Sequence, residues 1–188
     1  MVTWEAYYKY ADNLRSRPKR AWFWDMILAQ TRPRVVIEVG CGNGLNLEHI
    51  IAPVVIGVDS YEPSLELARQ RLKNGALLMP GDARALRLWP DRFADLSFTC
   101  TVLQQIADDE ECHSALRELI RVSREWVMVM EYAADKRTEV LWRGNPKGIV
   151  KRPWGKMLEA EGVGVYGTGF LPYDQHAFDD VTWYLGKR

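Results

Sequence analysis

Short apolar runs alternate with amphipathic segments along most of the chain. The first run, at residues 34–39, is rich in valine and leads into glycines, which is typical of a buried parallel strand. The same pattern predicts four further strands, at residues 54–59, 76–79, 93–101 and 125–132. Helices are predicted between them, at residues 46–51, from Pro63 onward and at 112–122. Strands that alternate with helices form a parallel sheet with helices on both faces.

The two ends of the chain follow different patterns. Residues 3–30 predict two helices, because aromatic residues recur at helical spacing, and Pro18 marks the start of the second. After residue 132 the alternation stops, and the polar, glycine-containing residues 133–152 predict an irregular segment. A helix at 154–161 and two closing strands at 162–171 and 181–185 are predicted to follow.

Together these elements predict one α/β domain over residues 1–188. Its sheet is expected to be Rossmann-like and doubly wound, with seven mostly parallel strands, the last two of which form an antiparallel hairpin. A length of 188 residues suits one domain with a real core, and 47% hydrophobic residues is an ordinary globular composition.

Charge and cysteine content narrow the function classes. Basic and acidic residues both number 25, so no net charge attracts nucleic acid. Three cysteines without paired spacing fit a reducing compartment. The first twenty residues lack an apolar signal-type stretch, and the longest apolar run, Ile50–Val58, is too short for a bilayer. We expect a cytoplasmic protein with no membrane partner and no metal site, as either a monomer or a homodimer.

The most informative segment is Glu38–Gly44, which reads EVGCGNG between a predicted strand and a predicted helix. Glycine is required where the backbone turns sharply or lies against a ligand. Open α/β sheets bind ligands beyond the carboxyl ends of their strands, where this loop lies. A dinucleotide site would need a glycine at the position of Leu45, and Glu38 would repel a pyrophosphate. A nicotinamide oxidoreductase is therefore disfavoured.

Acidic residues follow the next two strands. Glu38 can hold an ammonium group, Asp59 can accept both hydroxyls of a ribose, and Asp82 can accept a hydrogen bond from an adenine amino group. A ligand with an ammonium, a ribose and an adenine but no phosphate fits these positions. S-adenosylmethionine (SAM) is such a ligand.

Residues 34–132 resemble the class I SAM-dependent methyltransferases in the glycine loop, in GVDSYEPSLELAR and in GDAR. The resemblance implies that SAM is the cofactor and S-adenosylhomocysteine (SAH) the product. It places the methionine end of SAM at Glu38, Gly40, Gly42 and Gly44. It places the ribose and adenine at Asp59, Ser60, Tyr61, Asp82 and Ala83, and the sulfonium over Thr101 and Leu103.

Two further expectations come from resemblance. Residues 44–47 and 178–185 are similar to small methyltransferases of pseudaminic-acid-type sugar pathways. By analogy with the fold, residues 1–31 form a helical lid, with Trp4, Tyr7 or Tyr10 facing SAM.

Methyl transfer from SAM is a direct displacement, so orientation of the reactants, worth about 7–11 kcal/mol, is the main task. A base is needed only if the acceptor must lose a proton. Candidates for that role, or for orienting the acceptor, stand at strand ends and in the following helix: Glu131, Gln104, Gln105 and His113. His176 is a further titratable residue, and an ordinary surface position is the alternative interpretation for each histidine.

Residues 133–158 contain seven basic residues against two acidic ones, and in this fold they lie beside the acceptor. We predict that this substrate-side insertion binds a small anionic acceptor, such as a nucleotide sugar or another phosphorylated metabolite. Its candidate residues are Arg143, Arg152, Trp142 and Trp154. The alternative is a solvated loop. A nucleic-acid methyltransferase and a non-catalytic SAM-binding subunit also stay open. The first is disfavoured because residues 101–104 lack the Asn/Asp-Pro-Pro-aromatic motif of enzymes that methylate exocyclic base amines.

Overall fold

The computed structural model describes residues 17–142, 145–172 and 180–188. Within these ranges it contains helices α1 to α4 and strands β1 to β9. The helices are Arg17–Thr31, Glu62–Arg71, Asp109–Val122 and Trp154–Ala160. The strands are Val35–Val39, Val54–Asp59, Leu77–Pro80, Ala94–Cys100, Ser123–Glu131, Thr138–Trp142, Asn145–Lys151, Gly164–Leu171 and Val181–Lys187.

Seven of the strands form one sheet in the order β3-β2-β1-β4-β5-β9-β8. The pairs among β1 to β5 are parallel, whereas β9 pairs antiparallel with both β5 and β8. This arrangement confirms the predicted doubly wound α/β fold with its closing hairpin. The strand order reverses between β1 and β4, and an open sheet forms its ligand-binding crevice at that point.

The central strands β1, β2, β4 and β5 are largely buried on both faces because helices cover both sides of the sheet. Val36 on β1 packs with Phe23 and Trp24 of α1 on one face. The next residue, Ile37, packs with Leu116 of α3 and Leu158 of α4 on the other face. Helix α3 begins three residues before the prediction, at Asp109, because the Asp108 carboxylate caps it by accepting from the backbone N–H of Glu111 at 2.9 Å.

The helix predicted at residues 46–51 is absent; a single 3-10 turn, Leu47–His49, takes its place. Residues 40–44 are already used by the glycine loop, and β2 begins at Val54, so little chain is left for a helix whose first turn is costly to nucleate. The amide of Asn74 stabilises the short turn by donating to the carbonyl oxygens of Leu47 and Ile50.

The segment at 133–152, predicted to be irregular, contains the antiparallel strands β6 and β7. Their pairing joins Thr138 to Lys151 and Val140 to Ile149. The β-branched residues Thr138, Val140 and Ile149 are the signal that outweighed the polar composition. Residues 143 and 144 lie outside the described part of the chain.

Helix α1 confirms the helix predicted from Pro18. The residues predicted to face SAM from a lid, Trp4, Tyr7 and Tyr10, lie outside the described residues. Among the helices that the structure describes, none combines the length and hydrophobicity needed to cross a bilayer.

Candidate functional site

A cleft of about 780 Å³ opens at the carboxyl ends of β1, β2, β3 and β4. This size is typical of sites that hold a small organic ligand. The glycine loop after β1 forms its floor, and the segment after β4 forms one wall. Helix α1 contributes Arg20 from above the floor.

The glycine loop depends on Gly40, which has a φ of +76°. A Cβ at this position would lie 2.2 Å from Cγ2 of Val102, so only glycine allows the wall to pack on the loop. The N–H groups of Gly40 and Cys41 both donate to the carbonyl oxygen of Val58, at 2.7 and 3.0 Å, and hold the turn against β2. Gly42 lines the cleft, whereas Gly44 packs against Leu72 and does not line it.

Glu38, at the end of β1, is fully buried and borders the cleft. Its Oε1 atom accepts from the Asn46 amide at 2.6 Å, and the Asn46 carbonyl oxygen accepts in turn from the Arg20 guanidinium. Among the residues described, Oε2 finds no hydrogen-bond partner. Burial raises the pKa of Glu38 to about 8, against opposing contributions from Asn46 and Arg20. A buried oxygen without a partner beside a cleft fits a cationic donor supplied by a ligand.

Asp59 ends β2 and organises the next part of the floor. Its Oδ2 atom accepts from the N–H of Gly42 at 2.7 Å and Oδ1 accepts from the N–H of Tyr61 at 2.8 Å. Each oxygen keeps a second lone pair that can accept from a ligand hydroxyl. Ser60 and Tyr61 follow it along the cleft.

Asp82 and Ala83 line the cleft after β3. The Arg84 guanidinium donates to both carboxylate oxygens of Asp82, at 2.9 and 2.6 Å, and this hydrogen bonding holds the pKa of Asp82 below its usual value. The Gly81 N–H donates to the Asp59 carbonyl oxygen at 3.0 Å, which places the two acidic positions side by side.

The wall of the cleft is the segment 101–107, which follows β4. Thr101 has a φ of +59°, an unfavourable conformation for a non-glycine residue that costs about 1–3 kcal/mol and persists because its N–H donates to the Met130 carbonyl at 2.8 Å. Thr101, Val102, Gln105 and Ile106 line the cleft, whereas Leu103 is buried behind them.

Of the four predicted catalytic candidates, Gln105 alone borders the cleft. Gln104 is buried, and its amide oxygen accepts from the Tyr132 N–H at 2.7 Å. His113 lies on α3, away from the cleft, with Nδ1 3.7 Å from a carboxylate oxygen of Glu161. Gln104 and His113, predicted as candidates to orient the acceptor or to act as a base, therefore do not line the cleft.

Glu131 also differs from the prediction. Its carboxylate is fully buried and accepts three consecutive backbone N–H groups, those of Val102, Leu103 and Gln104, at 3.0, 3.1 and 3.2 Å. Burial raises the pKa of Glu131 to about 7, against these hydrogen bonds. Both oxygens point into the protein, so Glu131 cannot take a proton from a substrate in this arrangement.

The residues predicted to bind the acceptor do not line the cleft where the structure describes them. Arg152 is only 3% exposed and is engaged by Asp109 and by carbonyl oxygens of the wall. Trp154 is buried in the core, with Nε1 donating to the Tyr132 carbonyl at 3.0 Å. Neither lines the cleft, because the hairpin folds back on the protein. Arg143, the side chain of Trp142 and His176 fall outside the described part of the chain.

Arg20 and Asn46 are among the cleft residues that sequence reasoning missed. Arg20 lies on the face of α1 that also carries Phe23, Trp24 and Ile27, all buried. A charged residue inside an apolar helical stripe is the signal that would have identified it, because buried charges are rare without a partner.

Residues 36–125 match a family model described as a methyltransferase domain. A search of curated protein sequences gives no significant match.

Solved structures of methyltransferases share the fold. Magnesium protoporphyrin IX methyltransferase from Synechocystis PCC 6803 with bound SAH is 18% identical, with a TM-score of 0.67; the match covers 90% of this chain and 84% of that chain. A second is 1,6-didemethyltoxoflavin-N1-methyltransferase from Burkholderia thailandensis with bound 1,6-didemethyltoxoflavin and SAH. It is 15% identical with a TM-score of 0.70, over 92% of this chain and 77% of that chain.

The same fold also occurs in the 4+2 cyclase SpnF, which is 16% identical with a TM-score of 0.68, over 89% of this chain and 80% of that chain. At this level of identity the likeness establishes the fold, and the chemistry must be argued from the residues of the cleft.

Proposed function

We propose that this chain binds SAM and transfers its methyl group to a small-molecule acceptor. The observation that carries the proposal is Oε2 of Glu38, a buried carboxyl oxygen beside the glycine loop that has no partner among the residues the structure describes. The match to a methyltransferase domain and the SAH-bound structures of the same fold support it.

The groups along the cleft match the parts of SAM in order. Glu38 receives the ammonium group, and Arg20, next to Asn46, is suited to the methionine carboxylate. Asp59 accepts the ribose hydroxyls through its remaining lone pairs. Asp82 accepts from the adenine amino group, and Ala83 leaves room for the ring. Acidic residues at three successive strand ends suit a ligand without a pyrophosphate, which is the interpretation that the sequence indicated for Glu38.

SAM, when bound, supplies a methyl group activated by a positively charged sulfur. The protein's contribution is to exclude water and to hold the acceptor atom in line with that methyl, which is worth about 7–11 kcal/mol. In the wall, Gln105 offers an amide to orient the acceptor, while Val102 and Ile106 offer apolar surface. The half-buried thiol of Cys100, whose pKa is raised to about 12, and Gln105 are poor bases at neutral pH, so neither is suited to remove a proton from the acceptor.

A small-molecule acceptor is supported by the two related enzymes, whose names specify a porphyrin and a toxoflavin precursor. Asp82 and Glu111 at the cleft are paired with Arg84, which also lines it, so the cleft presents paired charges and not a basic surface to a nucleic-acid backbone. Because Arg20 is assigned to the cofactor and Arg152 is engaged within the protein, an anionic acceptor now depends on Arg143. Nucleotide sugars are the first acceptors to test, because of the resemblance to sugar-pathway methyltransferases.

Calorimetric titration with SAM, SAH and NAD tests cofactor binding. We expect SAM and SAH to bind, with affinity at least about tenfold weaker in Asp59→Ala, because two hydrogen bonds to the ribose are lost. Asp91→Ala is the matched control, since Asp91 is an exposed residue paired with Arg121 and distant from the cleft. Binding of NAD in place of SAM would overturn the proposal.

Formation of SAH in the presence of candidate acceptors tests the chemistry. Acceptor-dependent SAH release that disappears in Asp59→Ala is the expected result. SAM binding without turnover on any acceptor would instead favour a non-catalytic SAM-binding subunit or another reaction on the same fold.

A further inference from the structure

We infer that Glu131 and Arg152 are positioning residues that together fix the segment 101–107, the wall of the cleft. Two buried groups of opposite charge hold its backbone from behind, one through N–H groups and one through carbonyl groups. The relevance of this inference to catalysis rests on the proposed function, because the wall is the surface against which the acceptor would lie.

The N–H side of the wall is held by Glu131. The wall contains a 3-10 turn, Leu103–Gln105, and the N–H groups at its start have no partner within the turn. The Glu131 carboxylate accepts three of them, from residues 102, 103 and 104. The Gln104 amide oxygen adds a fourth link by accepting from the N–H of Tyr132, next to Glu131.

The carbonyl side is held by Arg152. Its Nη2 atom donates to the carbonyl oxygens of Ile106 and Ala107 at 3.0 and 3.2 Å, just past the end of the turn. The same guanidinium donates to the Asp109 carboxylate at 2.7 Å, so its charge is balanced. An anion at the N–H end and a cation at the carbonyl end match the dipole of the turn.

The opposite side of the wall faces the cleft. Val102 packs on Gly40 of the glycine loop, and Gln105 and Ile106 line the space beside it. Movement of the turn would therefore shift the acceptor contacts directly and the cofactor loop through Val102. Arg152 follows β7 immediately, so the β6–β7 hairpin acts on the acceptor by holding the wall from outside the cleft.

Amide NMR on the ligand-free protein tests this inference. We expect the amide protons of residues 102, 103 and 104 to titrate together, because all three share one carboxylate. Glu131→Gln should abolish that common titration and lower their protection from hydrogen exchange by about tenfold or more. A carboxylate that served only to fill space would leave the three amides independent of pH, and that result would overturn the inference.

Arg152→Met tests the carbonyl side, with Arg124→Met as the matched control. Arg124 is an exposed arginine that donates to Asp95 and to carbonyl oxygens far from the cleft. We expect Arg152→Met to increase exchange at residues 105–107 by about tenfold, while SAH still shifts the amide resonance of Gly42. The control should leave exchange in the wall unchanged.

Where Arg152→Met does not fold, Arg152→Lys keeps the charge but loses the planar fork, and the same increase in exchange is expected. Wild-type exchange at residues 105–107 in either Arg152 variant would overturn the role of Arg152. Failure of SAH to bind the wild-type protein would contradict the proposed function alone, because exchange and titration of the wall are measured without any ligand.

Discussion

The carboxyl ends of β1 and β5 carry the same residue in very similar surroundings. Glu38 and Glu131 are both fully buried, and burial raises the pKa of each, to about 8 and about 7. They differ in their partners. Glu131 directs both oxygens to backbone N–H groups of the wall, whereas Oε2 of Glu38, beside the cleft, has no partner within the described part of the chain.

The comparison teaches that a raised pKa marks a buried carboxyl group without saying what the group does. Structural and ligand-binding carboxylates are both desolvated, so both titrate abnormally. The hydrogen bonds tell them apart, because a group whose oxygens are all satisfied internally has no need of a ligand. Glu131 is accordingly a structural group and Glu38 a ligand-binding one.

The largest expected effect is on protein stability, where Glu131 is expected to contribute much more than Glu38. Glu131→Ala leaves two buried N–H groups and one partly buried N–H group without an acceptor. It should lower the free energy of unfolding by about 3–5 kcal/mol, since each orphaned donor costs about 1–3 kcal/mol. Glu38→Gln should change it by less than about 1 kcal/mol, because one oxygen there is already unsatisfied. Urea denaturation of both variants measures the difference. Equal losses would mean that the two carboxyl groups are both structural.

The second effect is on cofactor affinity, and here Glu38 is expected to matter more than Glu131. Glu38→Gln should weaken SAM and SAH binding by about tenfold to a hundredfold, because a hydrogen bond to a charged group is worth about 1.5–3 kcal/mol. Glu131→Gln, which keeps an oxygen in the same place, should change SAH affinity by less than about threefold. Calorimetry on the two isosteric variants gives both values. A larger loss in Glu131→Gln would contradict the assignment.

The third effect is a pH dependence of cofactor binding. The Glu38 carboxyl is mainly protonated below about pH 8 in the free protein, yet it must be ionised to hold an ammonium group. Affinity should therefore fall by up to tenfold per pH unit below pH 8. Above that pH the ligand's own amino group loses its proton, near the usual value of about 7.7–8.0. SAH affinity should thus be greatest close to pH 8.

The same linkage predicts a released proton. At pH 7 the binding of SAH should expel nearly one proton from Glu38, which calorimetry detects as a binding enthalpy that varies with the ionisation enthalpy of the buffer. Glu38→Gln should show neither the proton release nor the loss of SAH affinity below pH 8. A wild-type enthalpy that is the same in every buffer would show that Glu38 is already ionised in the free protein.

The sequence predicted the doubly wound class, the parallel strands with their closing hairpin, and acidic residues at the strand ends, Glu38, Asp59 and Asp82. These follow from local patterns, because a strand, a glycine loop and a strand-end acid are contiguous in the chain. The sequence did not distinguish Glu131 from Glu38, since both end a β-branched or apolar run. The difference depends on which backbone N–H groups lie above each carboxylate, and those belong to another segment.

The insertion shows the same limit. Arg152 and Trp154 stand in a basic, glycine-containing stretch that predicted an exposed acceptor site. In the structure β7 carries Arg152 back under the wall, where Asp109 neutralises it, and Trp154 enters the core. Arg20 is the opposite case: the sequence did not predict it as a site residue, yet it borders the cleft. The other residues of that cleft lie more than fifteen positions away in the chain. Contacts between distant segments decided all three cases.

The smallest expected effect is at Asp82, where the carboxylate is 42% exposed and already bonded to Arg84. Water can replace part of any contact there, so Asp82→Ala should weaken SAH binding by only about threefold to tenfold. Selectivity is the sharper measurement. The wild-type protein should prefer SAH over its inosine analogue, in which the adenine amino donor is replaced by a carbonyl acceptor that would face the carboxylate. Asp82→Ala should remove most of this preference, because the repulsion disappears with the carboxylate. An undiminished preference would assign the adenine edge to another group and leave Asp82 as the partner of Arg84 alone.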